Sequence, residues 1–181
     1  MDHFKEEIVV KRGRTIDDVA FILVNVMMYI MAVVAFMMLS QLFSSISMGA
    51  FSWPPLVLFL VCGGLAALIY LRKDYLKMEY EYTFTNGDLD FARVLNNSRR
   101  KNLGSMKVKN VEAMGFVDGK QFPRFMSMKP MTRSNWFLNR DSKLFYFYFN
   151  KDGNKRMIVC EPSDEMVTMI KQYAARGAFQ E

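Results

Sequence analysis

Between Asp18 and Arg72 the chain runs for 53 consecutive residues without an Asp, Glu, Lys or Arg, and its one His, His3, also lies outside that interval. In 181 residues this is too long an uncharged stretch for the core of a small soluble domain. Ionised side chains are costly in hydrocarbon, so their complete absence marks a membrane unit. Residues 19–43 form a first candidate span, with Asn25, Ser40 and Gln41 as its polar interruptions. A short uncharged turn containing Gly49 follows. Pro54 and Pro55 suit the first turn of a second helix, where missing N–H groups cost little, and that helix reaches about residue 71. Each segment approaches or exceeds the roughly 20 apolar residues that a span needs. The length of the first segment and the presence of the second argue against a cleaved signal peptide.

Basic residues flank this hairpin on both sides and are missing from its loop. Lys11, Arg12 and Arg14 precede it, and Arg72, Lys73 and Lys77 follow. The positive-inside rule therefore predicts a multi-pass cell-membrane protein with both termini in the cytoplasm. Within the spans, Gly63, Gly64 and Ala67 offer a small-residue surface for helix packing, either inside the hairpin or at a homo-oligomer seam. Asn25 is expected to make an interhelical hydrogen bond rather than to mark a transport path, since neither span contains a charge.

From residue 79 the pattern switches to period two. Glu79 to Thr85 alternates strictly, Asn86-Gly87 follows, and then Asp88-Leu89-Asp90-Phe91. Asn-Gly between alternating runs predicts a two-residue hairpin that pairs Thr85 with Asp88 and puts Tyr82, Phe84, Leu89 and Phe91 on one face. Residues 101–117 predict two further strands, with a turn at Lys109-Asn110. A second hairpin turns at Asp152-Gly153, with Phe145, Phe147 and Phe149 facing the core. Ser163 suits the N-cap of a closing helix, whose apolar stripe is Met166, Val167, Ile170, Tyr173 and Ala174. The expected organisation is a cytoplasmic segment at 1–18, a hairpin at 19–71 with spans 19–43 and 54–71, a basic linker at 72–78, and a cytoplasmic β domain at 79–181. That domain is expected as an antiparallel sheet or barrel of about six strands capped by the C-terminal helix, an α+β membrane protein in all.

The order of strands closed by one helix resembles pleckstrin-homology-like domains. The residues Tyr82 to Asp90, with Glu161-Pro162-Ser163 before the helix, are similar to an uncharacterised family of small bacterial two-span membrane proteins with such a cytoplasmic domain. The resemblance implies the fold and carries over no ligand residue, and fold similarity does not settle function.

Catalytic constellations are missing: there is one His, no paired Cys at ligand spacing, no Gly-rich phosphate loop and no nucleophile elbow. Neither enzymatic activity nor a cofactor is expected. Cys62 and Cys160 form no disulfide framework. The acidic pairs Glu79/Glu81 and Asp88/Asp90 each share a strand face and read as solvated positions. The functional signal is charge. Residues 93–143 hold twelve basic residues against Glu112, Asp118 and Asp141, a net +9 within a chain whose total is +6.

Candidate contacts for anionic lipid headgroups or an acidic protein partner are Arg93, Arg99, Arg100, Lys101, Lys107, Lys109, Lys120, Arg124, Lys129, Arg133 and Trp136. The irregular stretch 118–143 mixes such residues with Phe122, Phe125, Met126 and Phe137. Two readings stay open for it. Its rings enter the headgroup layer beside the charges, or they pack on the sheet and the charge excess reflects orientation. Nucleic acid explains the same charges less well, because a domain held at a bilayer has restricted access to it and no recognition helix is evident.

Overall fold

The computed structural model describes residues 3–128 and 131–180. They divide into two compact units, one built from Met1–Arg12 with Met78–Glu181 and the other from Gly13–Lys77.

The first unit is a pair of β-sheets closed by a helix. Its Asn-Gly hairpin joins β2 (Met78–Thr85) to β3 (Asp88–Leu95) in the expected register, Thr85 opposite Asp88 and Tyr82 opposite Phe91. Both turn residues are left-handed, Asn86 at φ 48° and Gly87 at φ 95°. The strand β4 (Arg99–Lys107) completes one edge. The other edge is β1 (Phe4–Val9), which pairs antiparallel with β2 from Phe4↔Thr85 to Val9↔Tyr80. Thus part of the segment expected to stand apart at 1–18 belongs to the β domain.

The second sheet contains β5 (Val111–Phe116), β6 (Thr132–Trp136), β7 (Phe145–Lys151), β8 (Asn154–Cys160) and β9 (Phe179–Gln180), in the order β6-β8-β7-β5-β9. Two of its pairings are parallel, β6 with β8 and β9 with β5. The expectation of about six antiparallel strands therefore holds for β2, β3, β4, β5, β7 and β8 and misses the edge strands β1, β6 and β9. Between the sheets lie Tyr82, Phe84, Phe91, Phe145 and Phe147, all essentially inaccessible. The closing helix α4 (Asp164–Tyr173, numbered with the helices below) adds Met166, Val167 and Ile170 to this core. Its first turn is capped as expected, with the Ser163 hydroxyl accepting from the Met166 N–H.

A second apolar cluster lies on the outer face of β7 and β8. Tyr146, Tyr148, Met157 and Val159 are buried there beneath the connection from β5 to β7. That connection contains the short helix α3 (Phe122–Ser127) and β6.

The second unit is a hairpin of α1 (Arg14–Ser47) and α2 (Trp53–Arg72), followed by a 3₁₀ turn over Lys73–Lys77. Both helices are long and apolar enough to cross a membrane. Their large apolar side chains, such as Ile30, Phe36, Leu60 and Leu68, are exposed. Met28, Ala35 and Leu42, seven residues apart, form the buried seam on α1. The segment expected as a linker at 72–78 is instead the end of α2, the 3₁₀ turn and the start of β2.

Candidate functional site

The strand β1 turns two of its three charges inward, Glu6 facing out. Lys5 and Glu7 lie opposite Phe84 and Tyr82 and share their face, whereas Phe4 and Ile8 point outward and are exposed. The charges are used at the start of α4. Glu7 accepts from the Ser163 N–H at 2.9 Å and from the Ser163 hydroxyl, while Lys5 pairs with Glu165. The Glu165 carboxylate holds the Lys5 ammonium pKa above its ordinary value. At the other end of the strap, His3 meets Tyr173 at 3.1 Å.

Where β1 ends, a buried carboxylate fixes the path of the chain. Glu161 accepts from the N–H groups of Leu138 and Asn139 at 2.7 and 3.2 Å and from the Asn139 amide at 3.0 Å. Asn139 in turn donates to the Val10 carbonyl at 3.0 Å and accepts from the Arg12 N–H at 2.7 Å. Arg12 also pairs with Asp141 at 2.6 Å. Tyr82 joins the group, donating to the Trp136 carbonyl and accepting from the Glu161 N–H at 3.4 Å. Burial pushes the Tyr82 hydroxyl far above the usual phenol range, so it stays protonated and able to donate. Sequence reasoning had no signal for Asn139, and read Glu161 only as part of the approach to the helix.

Among the described residues, the basic-stretch candidates do not converge. Arg93 pairs with Lys101 and Arg99 with Leu95, so Arg93, Arg99 and Lys101 share one face. Arg100 turns to the opposite face, where its Nε lies 2.7 Å from Glu81. All four surround the turn at residues 96–98. This is the end of the first sheet that also holds Met78 and Val9, the residues next to the chain's exit toward residues 13–77. Lys107 pairs with Asp88 at the far end of the same strand, and Lys109 lies in the following 3₁₀ turn. At about 3.4 Å per residue, that end is roughly 27 Å away. A cleft of about 370 Å³ sits there, lined by Asp88, Asp90, Lys107, Asn110 and Lys151.

Lys120, Arg124 and Arg133 are exposed on the connection over the second sheet. Lys129 lies outside the described residues. Trp136 is half-buried, its ring packed on Phe91 at 4.8 Å against the main core. The rings of Phe122 and Phe125 lie on Tyr146 at 5.2 and 5.9 Å. Of the two readings of this stretch, the structure therefore has the aromatics packed on the sheet. Their amphipathic spacing makes both arrangements equally good on paper, and buried Tyr146 and Tyr148 supply the surface that decides it.

In the hairpin, a methyl group on Gly63 would meet the Ala35 Cβ at 3.9 Å, so Gly63 packs inside the helix pair. Gly64 has no atom within 4 Å of that position, and Ala67 is exposed, so these two face away from α1. Asn25 accepts from the Lys73 ammonium at 2.8 Å and donates to the Phe21 carbonyl at 2.7 Å. Among the described residues, no group of three or more His, Cys, Asp or Glu is placed to hold a metal ion. Cys62 and Cys160 are both free, and burial raises the Cys160 thiol pKa well above its ordinary value.

These elements define a class: a β-sandwich with a closing helix, interrupted between its first two strands by an apolar helical hairpin. The family described as Bacterial PH-like domain (DUF6106) matches residues 1–180, and the chain belongs to that family. The matched residues include β1 and the hairpin. No curated protein and no solved structure matches the chain.

Proposed function

We propose that this chain is a two-span, non-enzymatic membrane protein that holds its PH-like domain against the cytoplasmic face as an interaction module. The observation that carries the reading is the pairing of Val9 with Tyr80. Chain that leaves one strand and returns to its neighbour must cross a bilayer an even number of times. Two apolar helices lie in between. The flanking Lys11, Arg14, Arg72, Lys73 and Lys77 favour the cytoplasmic side for both ends.

The surface best placed to meet an anionic leaflet is the strand end with Arg93, Arg99 and Lys101, because both connections to the hairpin depart there. Each cation near such a surface contributes about 1 kcal/mol, and salt weakens the attraction within a Debye length. Arg99 and Arg100 are exposed trypsin sites. With the full chain reconstituted in vesicles containing phosphatidylglycerol, cleavage at these two bonds is expected to be several-fold slower than in neutral vesicles. High salt should restore it. Equal rates in the two lipids would remove the leaflet contact and leave an acidic protein as the partner of this end.

A second reading rests on Gly64 and Ala67, which face away from α1. They suit close approach by a helix of another membrane subunit. If leucine at both positions disperses a native complex that charge reversal at Arg93, Arg99 and Lys101 leaves intact, the chain is an accessory subunit assembled through its spans.

A further inference from the structure

We infer that the cytoplasmic edge of the hydrocarbon crosses the hairpin at the level of Asn25 and Lys73, which leaves the first three turns of α1 in the headgroup layer. The inference rests on the two-span reading above and adds the depth of insertion to it.

The register between the helices sets the level. Gly63 lies beside Ala35, and Lys73, ten residues further along, bonds Asn25, ten residues back. Residue 72 on α2 is therefore level with about residue 26 on α1. At 1.5 Å per residue the 20 residues of α2 extend about 30 Å, the thickness of a bilayer's hydrocarbon. The 34 residues of α1 extend about 51 Å and overshoot it. The loop residues 48–52 are too few to take up the surplus, which falls at the N-terminal end of α1.

The chemistry at that end agrees with the register. Past Arg72, the 3₁₀ turn lays its cations along α1. The Lys77 ammonium is 3.0 Å from Asp18 and lies over the Phe21 ring at 4.6 Å, while Lys73 bonds Asn25. An ammonium is costly at the centre of a bilayer, so this set belongs to the headgroup layer. Ile22 and Leu23, which are 61% and 64% exposed, stand on the same turns. Apolar side chains beside cations suit the boundary between phosphates and acyl chains. The buried run on α1 is then about 26–47 rather than the 19–43 that hydropathy alone marks.

Cysteines introduced one at a time into full-length Cys62→Ala protein, whose remaining thiol, Cys160, is buried, test the level in inverted membrane vesicles with a membrane-impermeant maleimide. Ile22→Cys is expected to react at least about tenfold faster than Val33→Cys, because thiol reactivity follows exposure to water. Equal protection of the two positions would overturn the boundary while leaving the spans in place. Fast labelling of Val33→Cys as well would overturn the membrane reading itself. Added Lys73→Met should slow the labelling of Ile22→Cys by allowing the hairpin to sink, and an unchanged rate would contradict the fixing role of the Asn25–Lys73 bond.

Discussion

Replacing residues 13–77 with a Gly-Ser-Gly linker is expected to give a soluble domain that unfolds cooperatively, whereas residues 78–181 alone should be largely unfolded. The linked form retains all of the first unit, and its linker need only bridge the ends of two paired strands. Closing so short a loop has little entropic cost. The truncated form loses β1. With it go the backbone ladder along β2, the Glu7 contacts to Ser163 and the Lys5–Glu165 pair. At a net 0.5–1.5 kcal/mol per hydrogen bond, a ladder of about six bonds contributes roughly 3–9 kcal/mol. Domains of this size are stable by only about 5–15 kcal/mol. Urea unfolding followed by near-ultraviolet circular dichroism compares the two forms, and equal midpoints would show that β1 is dispensable.

Glu161→Ala is expected to destabilise the linked domain by about 3–5 kcal/mol, since it strands three donors that share one carboxylate at about 1–3 kcal/mol each when buried. Those donors are the Leu138 and Asn139 N–H groups and the Asn139 amide. Glu161→Gln retains a carbonyl acceptor and should lose less than half as much. Asp141→Ala supplies the control: both side chains of its pair with Arg12 are well exposed, and such pairs contribute about 0–1 kcal/mol. If Glu161→Ala cost no more than Asp141→Ala, the buried network would not be what fixes the exit of the chain.

The centre of each sheet was legible in the sequence because its apolar residues face inward with period two. Tyr82, Phe84, Phe145 and Phe147 announce their strands. Edges follow other rules. In β1 the inward positions are Lys5 and Glu7, which reach beyond the core to α4, with Val9 alone as an inward apolar residue, and the apolar Phe4 and Ile8 face out. The pattern thus reads as solvated coil. The strand β6, Thr-Arg-Ser-Asn-Trp, pairs through its backbone and has no apolar alternation to detect. Parallel pairing of β6 and β9 leaves no hairpin signature either.

For the candidate site, the sequence gives the amount of positive charge and not its direction. Strand alternation sends Arg100 to one face and Arg99 with Lys101 to the other, and Lys107 and Lys109 lie at and just beyond the far end of β4. Asn25 shows the opposite case. Its interhelical bond was expected from chemistry, but its depth depends on the register with α2, which hydropathy does not contain.

On the proposed two-span reading, the location of the hairpin between β1 and β2 requires both of its ends to lie on one side of the membrane. Alkaline phosphatase, active only outside the cytoplasm, reads this directly when fused before Phe4, inserted at Gly49 or fused after Gln180 of the full chain. Activity at Gly49 alone is the expected result. Activity at the C-terminal fusion with none at the N-terminal one would mean an odd number of crossings, which strands paired as Val9 and Tyr80 are paired do not allow.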